Sequence, residues 1–255
     1  SGGGGGGGGG MQQSPPRVGV FMTAGSLPHR LPPELSAMRR EDPDAYLALE
    51  VQHDKDYVAA VVAYYFNLTG PVEVIQTACS ASLVAIVRAV HALRLGLCDV
   101  AVCGGVSLSP DEPIRQVDGL IWSAEGTCKP FSKDAGGTAT SDGAAVVVLT
   151  AGACARQCYA EVAGVAVNND GRRKSDFSQP SHHAQVEMHR LAMEDAGMNA
   201  NDIDYLEAHG TATRIGDSIE MSALAEAYRE RSVSRRRLFV GSSKEHLGHT
   251  NTVAG

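Results

Sequence analysis

The sequence predicts an α/β fold with mostly parallel sheets covered on both faces. Strands and helices alternate along the chain. Several strands are nearly continuous apolar runs, as expected of strands buried from two sides. One β-branched run also passes through Cys79 directly into a long apolar helix.

Taken in order, Ser1 and the nine glycines Gly2 to Gly10 are low in complexity and cannot bury a core, so residues 1–16 are expected to be a disordered Gly-rich segment. Val18 to Thr23 reads as a strand, and residues 43–53 and 55–64 read as helices. Pro71 to Ile75 is β-branched and bounded by Gly70-Pro71, a further strand. Beyond Cys79, apolar residues at Leu83, Val84, Ile86, Val87, Val90 and Leu93 predict a buried helix that stops at Gly96. Asp99 to Val106 and Ala144 to Thr150 read as buried strands. A second series then begins. Glu161 to Val167 is a predicted strand, His183 to Ala196 an amphipathic helix ended by Gly197, and Tyr205 to Ala208 a strand. Ser218 to Tyr228 follows as a helix and Leu238 to Gly241 as a strand. The break between the series divides the chain into residues 17–155 and 156–255.

Composition narrows the function classes. With 255 residues and 43% hydrophobic content, the chain can bury one large core or two small ones. No run approaches the ~18 apolar residues of a membrane span, and no signal peptide is evident, so a soluble, cytoplasmic protein is expected. The six cysteines show neither paired metal spacing nor the density of a disulfide scaffold, and no metal site is expected. Cys154 and Cys158 have the spacing of one helix face but no companion ligands. A net charge of −7 argues against nucleic acid as partner, and Arg235-Arg236-Arg237 reads as a solvated turn.

Three segments carry candidate chemistry. In Gln76-Thr77-Ala78-Cys79-Ser80-Ala81-Ser82 the thiol sits at a strand-to-helix turn. Unpaired backbone N–H groups at such a turn favour thiolate, lower the cysteine pKa and can hold an oxyanion. A second strand ends in Glu207-Ala208-His209-Gly210-Thr211-Ala212-Thr213, followed by Gly216-Asp217 and Glu220. A third ends in Gly241-Ser242-Ser243-Lys244-Glu245-His246-Leu247-Gly248-His249. Cysteine together with two histidine-bearing loops at strand ends points to a nucleophilic site more strongly than any one segment does.

In this order the three motifs resemble those of the β-ketoacyl synthases, the condensing enzymes of fatty-acid and polyketide synthesis, within the thiolase-fold superfamily. Val18-Gly19-Val20-Phe21, Asn67-Leu68-Thr69-Gly70-Pro71, Gly104-Gly105-Val106-Ser107, Cys128-Lys129-Pro130-Phe131 and Val167-Asn168-Asn169-Asp170-Gly171 are similar to further family landmarks, so the resemblance runs from about Val18 to Gly255. His53-Asp54-Lys55-Asp56-Tyr57 and Gln76-Thr77-Ala78-Cys79 look more like modular polyketide synthases, particularly those served by separate acyltransferases.

The resemblance implies a thiolase-like fold in α-β-α-β-α layers, truncated at both ends relative to the family. It implies Cys79 as the acylated nucleophile, and His209 and His249 as the pair that stabilises the enolate formed on decarboxylation. Lys244 would orient that pair and support the local charge. Thr211 and Thr213 would bind the phosphopantetheine arm, and Asp217 and Glu220 would fix the loop. His246 stands where the family usually has asparagine and receives no role. Ser141-Asp142-Gly143 also departs from the family's glycine-tuned loop, so packing beside the site is expected to differ. No tightly bound cofactor is implied, since substrates ride on the phosphopantetheine of an acyl carrier protein. That carrier, neighbouring synthase domains and a homodimer partner are the implied associates. Two rival readings stay open: a thiolase-type acyltransferase, and a non-condensing ketosynthase-like fragment that binds carrier-borne chains or serves as a dimer partner.

Overall fold

Strand β1 (Val18–Ala24) runs through the middle of the first sheet, because its side chains are apolar or small on both faces and all but Val18 are buried. The computed structural model describes residues 14–25, 33–108, 121–152, 158–229 and 237–255. Most of the Gly-rich segment 1–16 expected to be disordered, the spacing of Cys154 and most of the Arg235–Arg237 turn lie outside them. On one side β1 pairs in parallel with β2 (Val72–Val74), Val20 opposite Val72. On the other it pairs in parallel with β3 (Val100–Ser107), Val18 opposite Val100. β4 (Gly143–Thr150) closes the order β2-β1-β3-β4 and runs antiparallel to β3.

The period-2 alternation of β1 divides its side chains between two cores. Val20 and Met22 pack with Ala59 and Ala63 of a helix on one face. Phe21 packs on the other with Ala81, Ala85, Ala89 and Ala92. The first helix is α3 (Val58–Phe66), preceded by α1 (Pro33–Glu41), α2 (Pro43–His53) and a 3₁₀ turn over Lys55–Tyr57. The second is α4 (Ala81–Arg94). Its alanines, three and four residues apart, make a smooth stripe that lets the helix lie close to the sheet. Fully burying a side chain such as Phe21 stabilises by about 1.5–3 kcal/mol.

The second series builds a smaller unit. β5 (Tyr205–Glu207) and β6 (Phe239–Gly241) form a parallel pair, with Leu206 opposite Val240. Helices α5 (His182–Ala196) and α6 (Arg214–Ala227) pack beside it. Val186, Ala223, Leu224, Ala227 and Tyr228 form its core. α5 is capped by the Ser181 side chain, which accepts the Ala184 N–H, and ends at Gly197 with φ 64°. A short helix, α7 (Lys244–Leu247), follows β6.

Three expectations need correction. Glu161 to Val167 forms no strand, because the Val165 N–H donates to the Asp195 carboxylate at 2.8 Å rather than to a neighbouring strand. β4 is a strand but not a buried one. It terminates the sheet, α3 and α4 lie mainly over the other strands, and Val146, Val147 and Val148 are all exposed. The predicted helix from residue 218 begins earlier, at Arg214, so Asp217 lies in its first turn, where a carboxylate suits the helix N-terminus.

The two units are joined by Arg94, which grips Asp195 of α5 with both guanidinium NH groups at 2.8–3.0 Å. Since Asp195 also accepts the Val165 N–H, one carboxylate ties α4, α5 and the extended segment together.

Candidate active site

Cys79 lies in a 3₁₀ turn (Ala78–Ser80) between β2 and α4. Ala78 has φ 55°, a left-handed conformation that costs an alanine on the order of 1–2 kcal/mol. The Ser80 hydroxyl steadies the turn by donating to the Thr77 carbonyl at 2.9 Å. No side chain caps the N-terminus of α4; its first N–H, that of Ala81, turns back onto the Ala78 carbonyl.

His209 follows β5. Glu220, one turn into α6, clamps that loop by accepting the His209 N–H at 2.6 Å and the Gly210 N–H at 2.9 Å. Gly210 has φ 44°, and a Cβ there would lie 2.6 Å from Ser242 Cβ, so glycine is required. Asp217 accepts the Phe131 N–H at 2.7 Å. Both carboxylates thus accept backbone N–H groups. The Thr211 and Thr213 hydroxyls face each other at 3.2 Å.

His249 follows α7, and its main chain is held on both sides. Its N–H donates to the Ala139 carbonyl at 2.7 Å, and its carbonyl accepts the Ser141 N–H at 3.1 Å. Its Nδ1 accepts the Asn251 N–H at 3.0 Å. In the neutral ring the proton must therefore sit on Nε2, which is left free to donate.

These elements bring the Cys79 sulfur and a ring nitrogen from each histidine within 4.8 Å of one another. The two rings meet edge to face, centroids 5.6 Å apart. Burial, joined by the neighbouring His209 and the Lys244 charge, lowers the His249 pKa to about 4. His209 keeps more solvent contact, yet dense surroundings and Lys244 also lower it to about 4. Both imidazoles are neutral at pH 7. The same trio has the composition of a metal-ligand set, but the Asn251 N–H occupies the one acceptor nitrogen of His249. A ring with its proton on Nε2 has no lone pair there for a cation.

Lys244 is buried and donates to the Ala254 carbonyl at 3.1 Å. Burial lowers its pKa, opposed by the charges of Glu207 and Glu220. The sequence expectation for Cys79 is reversed in direction. Half-burial raises its pKa, and this outweighs the lowering by its own backbone N–H and by Lys244. His246 is exposed on α7.

Residues 8–154 match the family model described as "Beta-ketoacyl synthase, N-terminal domain", and residues 159–255 the corresponding C-terminal domain. The chain belongs to the β-ketoacyl synthase family. Among curated proteins it is 39% identical to erythronolide synthase EryA3 of Saccharopolyspora erythraea over 93% of this chain and 8% of that protein. It is 33% identical to the polyketide synthase PksN of Bacillus subtilis, over 94% of this chain and 4% of that one. Ketosynthase twelve of the bacillaene polyketide synthase of Bacillus amyloliquefaciens superposes with TM-score 0.82 at 32% identity, covering 94% of this chain and 43% of that structure. The oxazolomycin ketosynthase domain of Streptomyces albus JA3453 gives TM-score 0.82 at 32% identity, over 94% and 42%. The chain thus spans less than half of these two solved ketosynthases and a small part of the curated synthases. The α/β, thiolase-like fold expected from its motifs is the fold of these relatives.

Sequence reasoning missed three parts of this ketosynthase-type site. Glu207 accepts the Ser243 N–H and the Tyr205 hydroxyl, both at 2.6 Å, linking the two histidine loops. A carboxylate in a strand beside the histidine was the available signal. Asn251, at φ 49°, turns its N–H onto His249, and asparagine's tolerance of that region was only a weak hint. The grip of residues 139–141 on His249 had no local signal, since more than a hundred residues separate them.

Proposed function

We propose that this chain carries the reacting groups of a decarboxylative Claisen condensation, joining a Cys79-bound acyl chain to a malonyl unit on an acyl carrier protein in polyketide or fatty-acid synthesis. The observation that carries this is the meeting of the Cys79 sulfur with two neutral imidazoles, one held with its proton on Nε2.

Cys79 gives up its thiol proton and attacks the acyl thioester carbonyl, and the tetrahedral intermediate collapses by expelling the carrier thiolate, which takes up that proton. In this reading the Cys79 backbone N–H, which favours the thiolate, is a donor for the developing oxyanion. A malonyl thioester then enters. As its C–C bond to the carboxylate breaks and carbon dioxide leaves, the electron pair moves onto the thioester oxygen. Neutral imidazole N–H donors stabilise that enolate without surrendering a proton. The enolate carbon attacks the acyl-Cys79 carbonyl, and the thiolate departs. Burial keeps the pair neutral, and Lys244 adds to this by disfavouring a further positive charge beside it. In this reading Thr211 and Thr213 bind the phosphopantetheine arm, and Asp217 and Glu220 hold the loop. The halves 17–155 and 156–255 supply thiol and histidines respectively, and the carrier protein, neighbouring synthase domains and a second copy are the partners.

The test separates the half-reactions in the full-length protein. Acyl thioester should label Cys79, located by mass spectrometry, while the buried Cys98 and Cys103 stay free. His249→Ala should lower carbon dioxide release from malonyl carrier protein by ~10²-fold or more, the scale of losing one oxyanion donor, and spare self-acylation. Unchanged decarboxylation in that variant would sink the two-histidine mechanism.

A further inference from the structure

We propose that Cys128 is a positioning residue for His249, acting through the strap of residues 135–141; this rests on reading His249 as an enolate donor. Cys128 is buried, only 3% exposed, among Ala135, Ala139 and Ala212. Its sulfur accepts the Ala139 N–H at 3.2 Å, and its thiol lies 3.7 Å from the Ala139 carbonyl and 3.6 Å from the Thr138 hydroxyl. The carbonyl of that same Ala139 receives the His249 N–H at 2.7 Å, and Ser141 takes up the His249 carbonyl. Thr140, between them, forms an isolated β-bridge with His249. The thiol therefore contacts the residue that makes one of the two bonds setting where the His249 backbone lies, and that residue is two positions from the other.

The other end of the strap reaches the second loop. The Gly137 N–H donates to the Ala212 carbonyl at 2.9 Å, between Thr211 and Thr213, and Arg214 holds the Ala135 carbonyl at 3.1 Å. A shift of the strap at Cys128 would thus move His249 relative to the loop that carries His209. Cys128 neither joins the Cys79–His209–His249 cluster nor reaches the reacting atoms, so its effect falls on alignment. A buried sulfur also suits the place: its long, weak contacts hold the peptide without the desolvation that a more polar side chain would incur.

The test uses the full-length protein with Cys128→Ala and Cys128→Ser, His249→Ala as reference, and Cys103→Ala as a control that removes an equally buried thiol from the first core. Decarboxylation of malonyl carrier protein, acylation of Cys79 and amide hydrogen exchange over residues 247–251 are measured in each. Cys128→Ala should slow decarboxylation about 10-fold, the scale of one lost hydrogen bond, leave acylation within about two-fold, and speed exchange at His249. Cys128→Ser should recover most of the loss, and it carries the test if the alanine variant does not fold. Cys103→Ala should leave exchange at His249 unchanged. Equal losses in both half-reactions would overturn the proposal by showing a general structural role. Unchanged exchange and decarboxylation in both Cys128 variants, with His249→Ala defective, would overturn it while sparing the functional reading. If His249→Ala itself decarboxylates normally, the functional reading fails, and exchange at His249 alone decides whether Cys128 holds that backbone.

Discussion

Replacing His249 by glutamine removes one buried titrating group, and the effect on stability can be sized from its surroundings. The residue is 7% exposed, and burial, His209 and Lys244 together lower its pKa from the ordinary 6.5 to about 4. Between those values the unfolded chain binds a proton that the folded chain refuses. Stability therefore rises with pH through this window and is lost on acidification from 6.5 towards 4. The full difference is about 3 kcal/mol, a large part of the roughly 5–15 kcal/mol that holds a typical protein folded. Glutamine keeps a side-chain N–H donor but binds no proton, so the variant should lack this share of the acid sensitivity. Urea unfolding of the full-length protein at pH 7, 6, 5 and 4 should show the variant gaining about 3 kcal/mol relative to the wild type across the range. His209 contributes in the same direction in both proteins and leaves the comparison intact. Parallel stability curves, or a His249 NMR titration centred near 6.5, would refute the buried neutral imidazole and the role built on it.

Because burial raises the Cys79 pKa, its alkylation by iodoacetamide should keep accelerating from pH 7 to 9, and a plateau already reached by pH 7 would show a preformed thiolate. Glu220→Gln should lower decarboxylation about 10-fold or more, since an amide cannot accept both the His209 and Gly210 N–H groups and one is left unpaired at about 1–3 kcal/mol; wild-type rates would count against the clamp. Gly137→Ala should destabilise by about 2 kcal/mol or more, read from the urea midpoint, because φ there is +122° and a Cβ would lie 2.6 Å from the Trp122 backbone; an unmoved midpoint would contradict that packing.

Much of this was legible in the sequence because the determining signals are local. The β-branched run ending in β2, the apolar positions Val84 to Leu93 of α4 and Gly197 at the end of α5 each state their own conformation. Cys79, His209, Lys244 and His249 drew attention because each lies in the connection that follows a strand, where such a fold displays side chains. The failures share the opposite property. Whether Ala144 to Thr150 is buried depends on what lies against it, and its apolar composition reads the same in the middle of a sheet as at an edge. Glu161 to Val167 has strand composition, but Asp195 takes up one of the N–H groups a ladder would use. The Cys79 pKa is a contest between backbone dipoles, visible in the sequence, and desolvation, which only the packed structure reveals.

The grip of Arg94 on Asp195 ties the far end of α4 to the second unit. The helix's 14 residues span about 20 Å, with the thiol just beyond one end and the guanidinium at the other. A tilt of about 3° about the Arg94 end would carry the sulfur about 1 Å sideways, enough to cost on the order of 10²-fold in a reaction that depends on alignment. A surface ion pair worth at most about 1 kcal/mol to folding can therefore matter more to reactivity than to stability. Substitutions at this exposed pair would be tolerated by the fold while detuning a thiol a whole helix away.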